Sequence, residues 1–138
     1  MTAETVYQVL DSTLDTVDRA EDLAVVIAQR AGFDDISLNQ IGLAVHETVA
    51  NAVIHGNRYS ASRKVYVSIS VTRDEIKIIV GDEGDGFDPR TIPELGSPQQ
   101  LLRGAGRGVH LSQALMDEYR VEARGRRGAQ ITLIKYRK

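Results

Sequence analysis

From Lys64 to Thr72 the sequence KVYVSISVT alternates without a break, with Val65, Val67, Ile69 and Val71 on one side of an extended chain and Tyr66, Ser68, Ser70 and Thr72 on the other. Such a strand has one buried and one wetter face. Arg73 and Asp74 leave room only for a tight connection before Glu75 to Gly81, EIKIIVG, repeats the alternation at Ile76, Ile78 and Val80. The pair predicts an antiparallel hairpin.

The flanking segments follow from the same periodicities. Thr5 to Leu10 predicts an edge strand, and Asp11 to Asp15 is polar enough to turn the chain. Val17, Ala20, Leu23, Ala24, Ile27 and Ala31 recur at helical spacing across Thr16 to Ala31, and Gly32 ends the pattern. A second helix runs from about Leu38 to His55, followed by a polar loop from Gly56 to Arg63. Beyond the hairpin, DEGDGFD (Asp82 to Asp88) breaks the strand, and a long loop holds Pro89, Pro93, Gly96 and Pro98. Loops of that length in a compact domain tend to be functional. RGAGRG (Arg103 to Gly108) leads into a helix predicted over Val109 to Tyr119, and Arg120 to Ala123 with Gln130 to Lys135 forms a closing hairpin around Arg124 to Gly128. Helices that are grouped rather than interleaved with strands predict an α+β two-layer sandwich, its sheet covered on one face by helices, instead of a doubly wound parallel sheet.

Composition narrows the functional classes. At 138 residues with 42% hydrophobic content, one domain over residues 1–138 is the expectation. There is no Cys, and the three His residues (His46, His55, His110) lack ligand spacing, which disfavours a structural zinc site. The amino-terminal MTAETVYQVL has no basic or apolar leader region and no run approaches a spanning helix, so a cytoplasmic location off the membrane is expected. A net charge of −2 gives no reason to expect direct binding of nucleic acid.

Three stretches carry candidate chemistry. In LAVHETVANAVIHGN (Leu43 to Asn57), Leu38, Val45, Val49, Ala52 and Val53 make the apolar face, while Glu47, Asn51 and His55 follow one another at four-residue steps along another edge. Ser37 with Gln40 offers a capping box at the start, Gly56 stands where a helix end favours glycine, and the small Ala44 and Thr48 leave room for an approaching group. The second stretch, Asp82-x-Gly84-x-Gly86, reads as an acidic turn or, less well, a calcium loop, because glycines stand where calcium needs oxygen ligands. The third, RGAGRG, reads as a linker or as an anion site, since backbone N–H groups at a helix start attract negative charge. It is neither a Walker A loop nor GxGxxG.

Taken together, HETVANAVIHGN, DEGDGFDP, the loop ending in LLRGAGRG, the following LMDEY and the last hairpin resemble the asparagine box and two glycine boxes of the GHKL, or Bergerat-fold, ATPase superfamily of gyrase, MutL and histidine kinases. Within it the chain looks most like the small anti-sigma factor serine/threonine kinases of bacterial partner-switching systems, over nearly its whole length. The resemblance implies a mixed, mostly antiparallel sheet, ATP and Mg²⁺ as cofactors, Asn51 as the Mg²⁺ ligand and Glu47 as the general base. It further implies that Asp82 accepts the adenine amino hydrogen, that Gly84 and Gly86 let the backbone pass close to the base, and that Arg103, Gly104, Ala105, Gly106, Arg107, Gly108 and Val109 surround the phosphates. Members commonly carry Thr after the glycine that opens the last strand, whereas Ala129 follows Gly128 here. The implied activity is phosphorylation of a STAS-domain anti-anti-sigma protein, with a sigma factor as second partner and a homodimer as the assembly. The alternative is a nucleotide-gated protein-binding regulator with negligible catalysis, and the retained Glu47 favours the kinase. A histidine kinase is disfavoured by the lack of room for a dimerisation hairpin with a phosphoacceptor His.

Overall fold

The computed structural model describes residues 4–84, 111–125 and 127–137. The chain begins with strand β1 (Glu4–Asp11), passes through helices α1 (Leu14–Arg30) and α2 (Asp35–Asn51), and returns as β2 (Lys64–Val71) and β3 (Glu75–Gly81). Residues 111–115 are helical, and β4 (Glu118–Ala123) and β5 (Ala129–Tyr136) close the chain. The five strands lie in the order β1-β2-β3-β5-β4. All four pairings are antiparallel, so among the described residues the sheet has no parallel component.

The alternation decides which face is covered. Val65, Val67, Ile69 and Val71 of β2, Ile76, Ile78 and Val80 of β3, and Leu133 of β5 pack in one cluster with Val17, Ala20, Ala24 and Ile27 of α1 and Ile41, Val45 and Val49 of α2. Burying a Val or Ile side chain stabilises by roughly 1.5–3 kcal/mol, so this one face supplies most of the favourable burial. Ser68 and Ser70 of β2 lie on the opposite face, where Ser70 shares a hydrogen bond with Thr5 of β1 across 3.1 Å. The two helices approach closely at Gly42, where a Cβ would stand 3.0 Å from Val25 Cγ2.

Three boundaries differ from the sequence expectation. Helix α2 starts one turn earlier than the proposed capping box. Asp34 is the cap, its Oδ1 accepting from the Ser37 amide at 2.8 Å, so Ser37 lies inside the helix. At the other end α2 passes directly into a π-helical turn over Ala52–Gly56, closed by the Asn57 amide donating to Ala52 O at 2.8 Å. Gly56 therefore sits within the final wide turn and not beyond the helix, and Arg58 and Tyr59 hold the left-handed conformations (φ 51° and 58°). Finally, the third helix does not reach Tyr119. The Asp117 amide already bonds Ile134 O at 2.9 Å, and Tyr119 pairs with Leu133 in β4, the alternation of Tyr119, Val121 and Ala123 having outweighed the helical pattern before it. Lys135, buried on the core side of β5, donates from Nζ to Leu115 O at 2.8 Å and so caps the end of that helix.

The cap assignment separates two substitutions. Asp34→Ala is expected to lower unfolding stability by about 0.5–2 kcal/mol, whereas Gln40→Ala stays within about 0.5 kcal/mol of the parent, as read from urea denaturation midpoints. The reverse order would restore the capping box.

Candidate functional site

Strand β3 ends at Gly81, and the next residue, Asp82, is only 8% exposed. Its Oδ1 accepts two backbone N–H groups, Gly84 at 2.9 Å and Ala129 at 3.1 Å, while its own amide donates to Ala129 O at 3.0 Å. The carboxylate is thus pinned between the end of β3 and the start of β5 through one oxygen. Burial pushes its pKa up, and the Gly84 and Ala129 amides pull against that shift, helped by the charges of Arg124 and Arg63.

Glycines surround this group because nothing larger fits. A Cβ on Gly56 would lie 2.4 Å from Asp82 Oδ2, one on Gly84 would lie 2.1 Å from Gly56 O, and one on Gly128 would lie 1.9 Å from Asp82 O. Gly128 also holds φ +93°, a conformation that disfavours any side chain. The backbones of the π turn, the β3 end and the β4–β5 turn therefore meet around a single carboxylate. Gly84 belongs to a motif visible in the sequence, whereas the roles of Gly56 and Gly128 here emerge only from the fold.

A second residue that sequence reasoning misses is Asn57, which the sequence places in a polar loop. It is fully buried. Its Nδ2 donates to Ser12 Oγ and to Lys64 O, both at 2.9 Å, and its Oδ1 accepts from the Glu83 amide at 2.8 Å. Glu83 Oε1 in turn accepts from the Lys64 amide at 2.7 Å and the Tyr66 hydroxyl at 2.9 Å, bonds that hold the Glu83 carboxyl below its ordinary range. The Arg124 guanidinium lies over the Tyr66 ring, 4.0 Å from its centre.

On α2, Glu47 and Asn51 are half-buried and stand one turn apart near the carboxyl-terminal end of the α-helical part. The room beside the small Ala44 and Thr48 is taken, among the described residues, by the third helix. Ser112 fills that space, its hydroxyl 3.3 Å from Ala44 O and 3.2 Å from Thr48 Oγ1, so the third helix lies directly beside the edge that carries Glu47. His55 is exposed in the π turn. His46 Nδ1 meets Glu21 Oε1 at 2.7 Å, linking α2 to α1. Gly86, Arg103, Gly104, Ala105, Gly106, Arg107, Gly108, Val109 and His110 lie outside the described residues. Among the described residues the candidate site is therefore a buried, oriented carboxylate at one end of the sheet and a carboxylate–amide pair at the end of α2. The amide oxygen of the half-buried Asn51 is a hard donor of the kind Mg²⁺ takes, so the residue fits that ion. No described helix is long and apolar enough to cross a membrane.

Comparison with known proteins places this geometry in a lineage. Residues 10–135 match the family model of the histidine kinase-like ATPase domain. The serine-protein kinase RsbW of Bacillus subtilis is 32% identical over 117 residues, covering 80% of this chain and 71% of that protein, and the RsbW of Oceanobacillus iheyensis is 32% identical over 116 residues, covering 80% and 72%. Among solved structures, the RsbU and RsbW domains of Rv1364c from Mycobacterium tuberculosis superpose with a TM-score of 0.70 at 20% identity, over 98% of this chain and 33% of that one. The catalytic domain of the histidine kinase ThkA superposes with a TM-score of 0.61 at 13% identity, over 96% of each chain. The sheet order, the helical layer and the match over residues 10–135 agree, and the chain belongs to the histidine kinase-like ATPase family.

Proposed function

We propose that this protein is an ATP-dependent serine/threonine-protein kinase that phosphorylates a STAS-domain anti-anti-sigma protein in the cytoplasm and, when that partner is absent, holds a sigma factor. The observation that carries the reading is the buried Asp82 carboxylate. Its Oδ1 is occupied by two backbone amides, which leaves Oδ2 as the acceptor for an exocyclic amino group such as that of adenine. The kinship with proteins named serine-protein kinase supports the transfer chemistry.

In this reading Glu47 accepts the proton of the partner's serine hydroxyl as its oxygen bonds to the γ-phosphorus, and the bond from that phosphorus to the bridging oxygen breaks to release ADP. Asn51 would hold Mg²⁺ through its amide oxygen, and the ion supplies neutralising charge to the phosphates. Arg103 to Val109 would surround those phosphates with backbone N–H groups and the positive charges of Arg103 and Arg107, and Gly86 with Gly84 would line the base. Glu47, retained one turn before Asn51, is the feature that separates a kinase from a nucleotide-gated binding module.

Incubation with γ-labelled ATP and STAS-domain proteins of the same genome tests the assignment, and label on a partner serine is expected. Glu47→Gln preserves shape and should leave ATP binding intact while transfer falls by roughly 10²- to 10⁴-fold. Asn51→Ala should instead lower Mg²⁺-ATP affinity and transfer together. Full transfer by Glu47→Gln would leave the gated binding module as the better description.

The raised pKa of Asp82 gives a second test through stability. A carboxyl whose folded pKa exceeds its unfolded value of 3.8 favours the native state when protonated, and that contribution is lost as pH rises through the folded pKa. At neutral pH the ionised group is a net cost. Asp82→Asn should therefore melt at or above the parent's temperature at pH 7, an advantage that shrinks as pH falls toward 3.8. Its ATP affinity should meanwhile drop more than about tenfold, because a hydrogen bond to a charged group contributes roughly 1.5–3 kcal/mol. Thermal melts across pH beside calorimetric ATP titrations read both quantities, and undiminished ATP affinity would remove Asp82 from the site.

A further inference from the structure

We infer that Asn57 is a positioning residue that sets the adenine preference of the site, acting through the peptide plane between Asp82 and Glu83. This rests on the ATP-binding reading above and extends it to a residue that need not touch the nucleotide. The plane is clamped from both sides. Its N–H, on Glu83, donates to Asn57 Oδ1 at 2.8 Å, and its carbonyl, on Asp82, lies so near Gly128 that an added Cβ there would stand 1.9 Å from the oxygen. Displacement of this peptide would carry the Asp82 Cα, which lies in its plane, and so misalign Oδ1 with the Gly84 and Ala129 amides. The contact at Gly128 limits approach, and among the described residues the hydrogen bond to Asn57 is what holds the peptide in place.

The partners of Asn57 also show why an amide is needed. Ser12 Oγ donates its hydrogen to Arg63 O at 2.6 Å, so toward Asn57 it acts as an acceptor, and Lys64 O is an acceptor by nature. Both must receive N–H groups, while the Glu83 amide must be given an oxygen. Asn supplies two donors and an acceptor in that order. Asp keeps the shape but turns two attractions into repulsions between oxygens. Ala keeps none of the three bonds. The residue thereby ties the junction of β1 and α1, the start of β2 and the end of the π turn to the single peptide that aims Asp82.

Discrimination between bases is the readout, because adenine offers an amino group where guanine offers a carbonyl, and a misaimed carboxylate loses the distinction. In the full chain, dissociation constants for Mg²⁺-ATP and Mg²⁺-GTP are measured for the parent, Asn57→Asp, Ser12→Ala and the remote core variant Ile41→Val, with amide exchange followed at Glu83. Asn57→Asp is expected to weaken ATP by about tenfold or more, to narrow the ATP-over-GTP ratio by a similar factor and, because repulsion from Ser12 Oγ and Lys64 O pushes the carboxylate away from Glu83, to speed exchange there. Ser12→Ala, which removes one of the two acceptors, should narrow the ratio by roughly two- to fivefold. Ile41→Val, destabilised without touching the site, should keep the parent's ratio. A folded Asn57→Asp with an unchanged ratio overturns the inference, and if that variant does not fold, an unchanged ratio in Ser12→Ala does so. A parent that binds neither nucleotide removes the ATP-binding reading and the inference with it, whereas a parent that prefers ATP beside unaltered variants removes only the role of Asn57.

Discussion

Asp82 keeps a carboxylate out of water at the rim of the sheet, and the surrounding backbone is shaped to let it stay there. A buried carboxylate without partners would cost several kcal/mol or would take up a proton. Two amides reduce that cost: Gly84 reaches Oδ1 from two residues along the chain, and Ala129 reaches it from β5 because β3 and β5 are neighbours in register, with Gly81 opposite Gln130. The insertion of β5 between β3 and β4 is therefore what encloses the carboxylate, since it brings the turn with Gly128 against the end of β3. The π turn completes the enclosure. Its wider winding carries the backbone of Gly56 against Asp82 and Gly84, where even a methyl group has no space.

The helical layer holds the other candidate residues by a different principle. Glu47 and Asn51 ride on a helix whose opposite face is locked by Ile41, Val45 and Val49 into the core. Beside them the third helix is fastened at two points, through Ser112 to the backbone and hydroxyl of α2 and through the Lys135 ammonium at its last carbonyls. A buried lysine is a costly residue on a core-facing strand position. It is tolerated because helix-end carbonyls are acceptors otherwise left without partners, and because the helix dipole favours positive charge there.

How far each element is legible in the sequence depends on the range of its signal. The hairpin of β2 and β3 is readable almost to the residue, since a period of two sustained over eight positions fits an extended chain and clashes with helical winding, and both turn residues lie between the runs. The apolar faces of α1 and α2 are readable because a period near 3.6 repeats over several turns. The helix cap is ambiguous because Asp34 and Ser37 are both good acceptors three positions apart, and only in the folded chain is it Asp34 that meets an amide, that of Ser37. The π turn has no side-chain period of its own within five residues. Asp82 and Gly84 stand out through a motif, while Asn57, Gly56 and Gly128 owe their roles to contacts across the chain that no local pattern encodes.

Glu83 and Asp82 show how adjacent residues divide the electrostatic burden of such a site. Burial raises the pKa of Asp82, so its ionised form works against folding at neutral pH. The Lys64 amide and the Tyr66 hydroxyl lower the pKa of Glu83, so its ionised form contributes stability that is present above its unfolded value of 4.5 and fades as pH falls through the folded one. The two signs are opposite across a single peptide bond. Glu83 is much the more solvated of the pair, which keeps its contribution modest. Its geometry matters more than its charge: by gripping β2 with its side chain and Asn57 with its amide, Glu83 holds the peptide from which Asp82 projects. A desolvated carboxylate thus rests on a neighbour whose own interactions are ordinary and satisfied, which is how a fold can keep a costly buried group without losing the strand end that carries it.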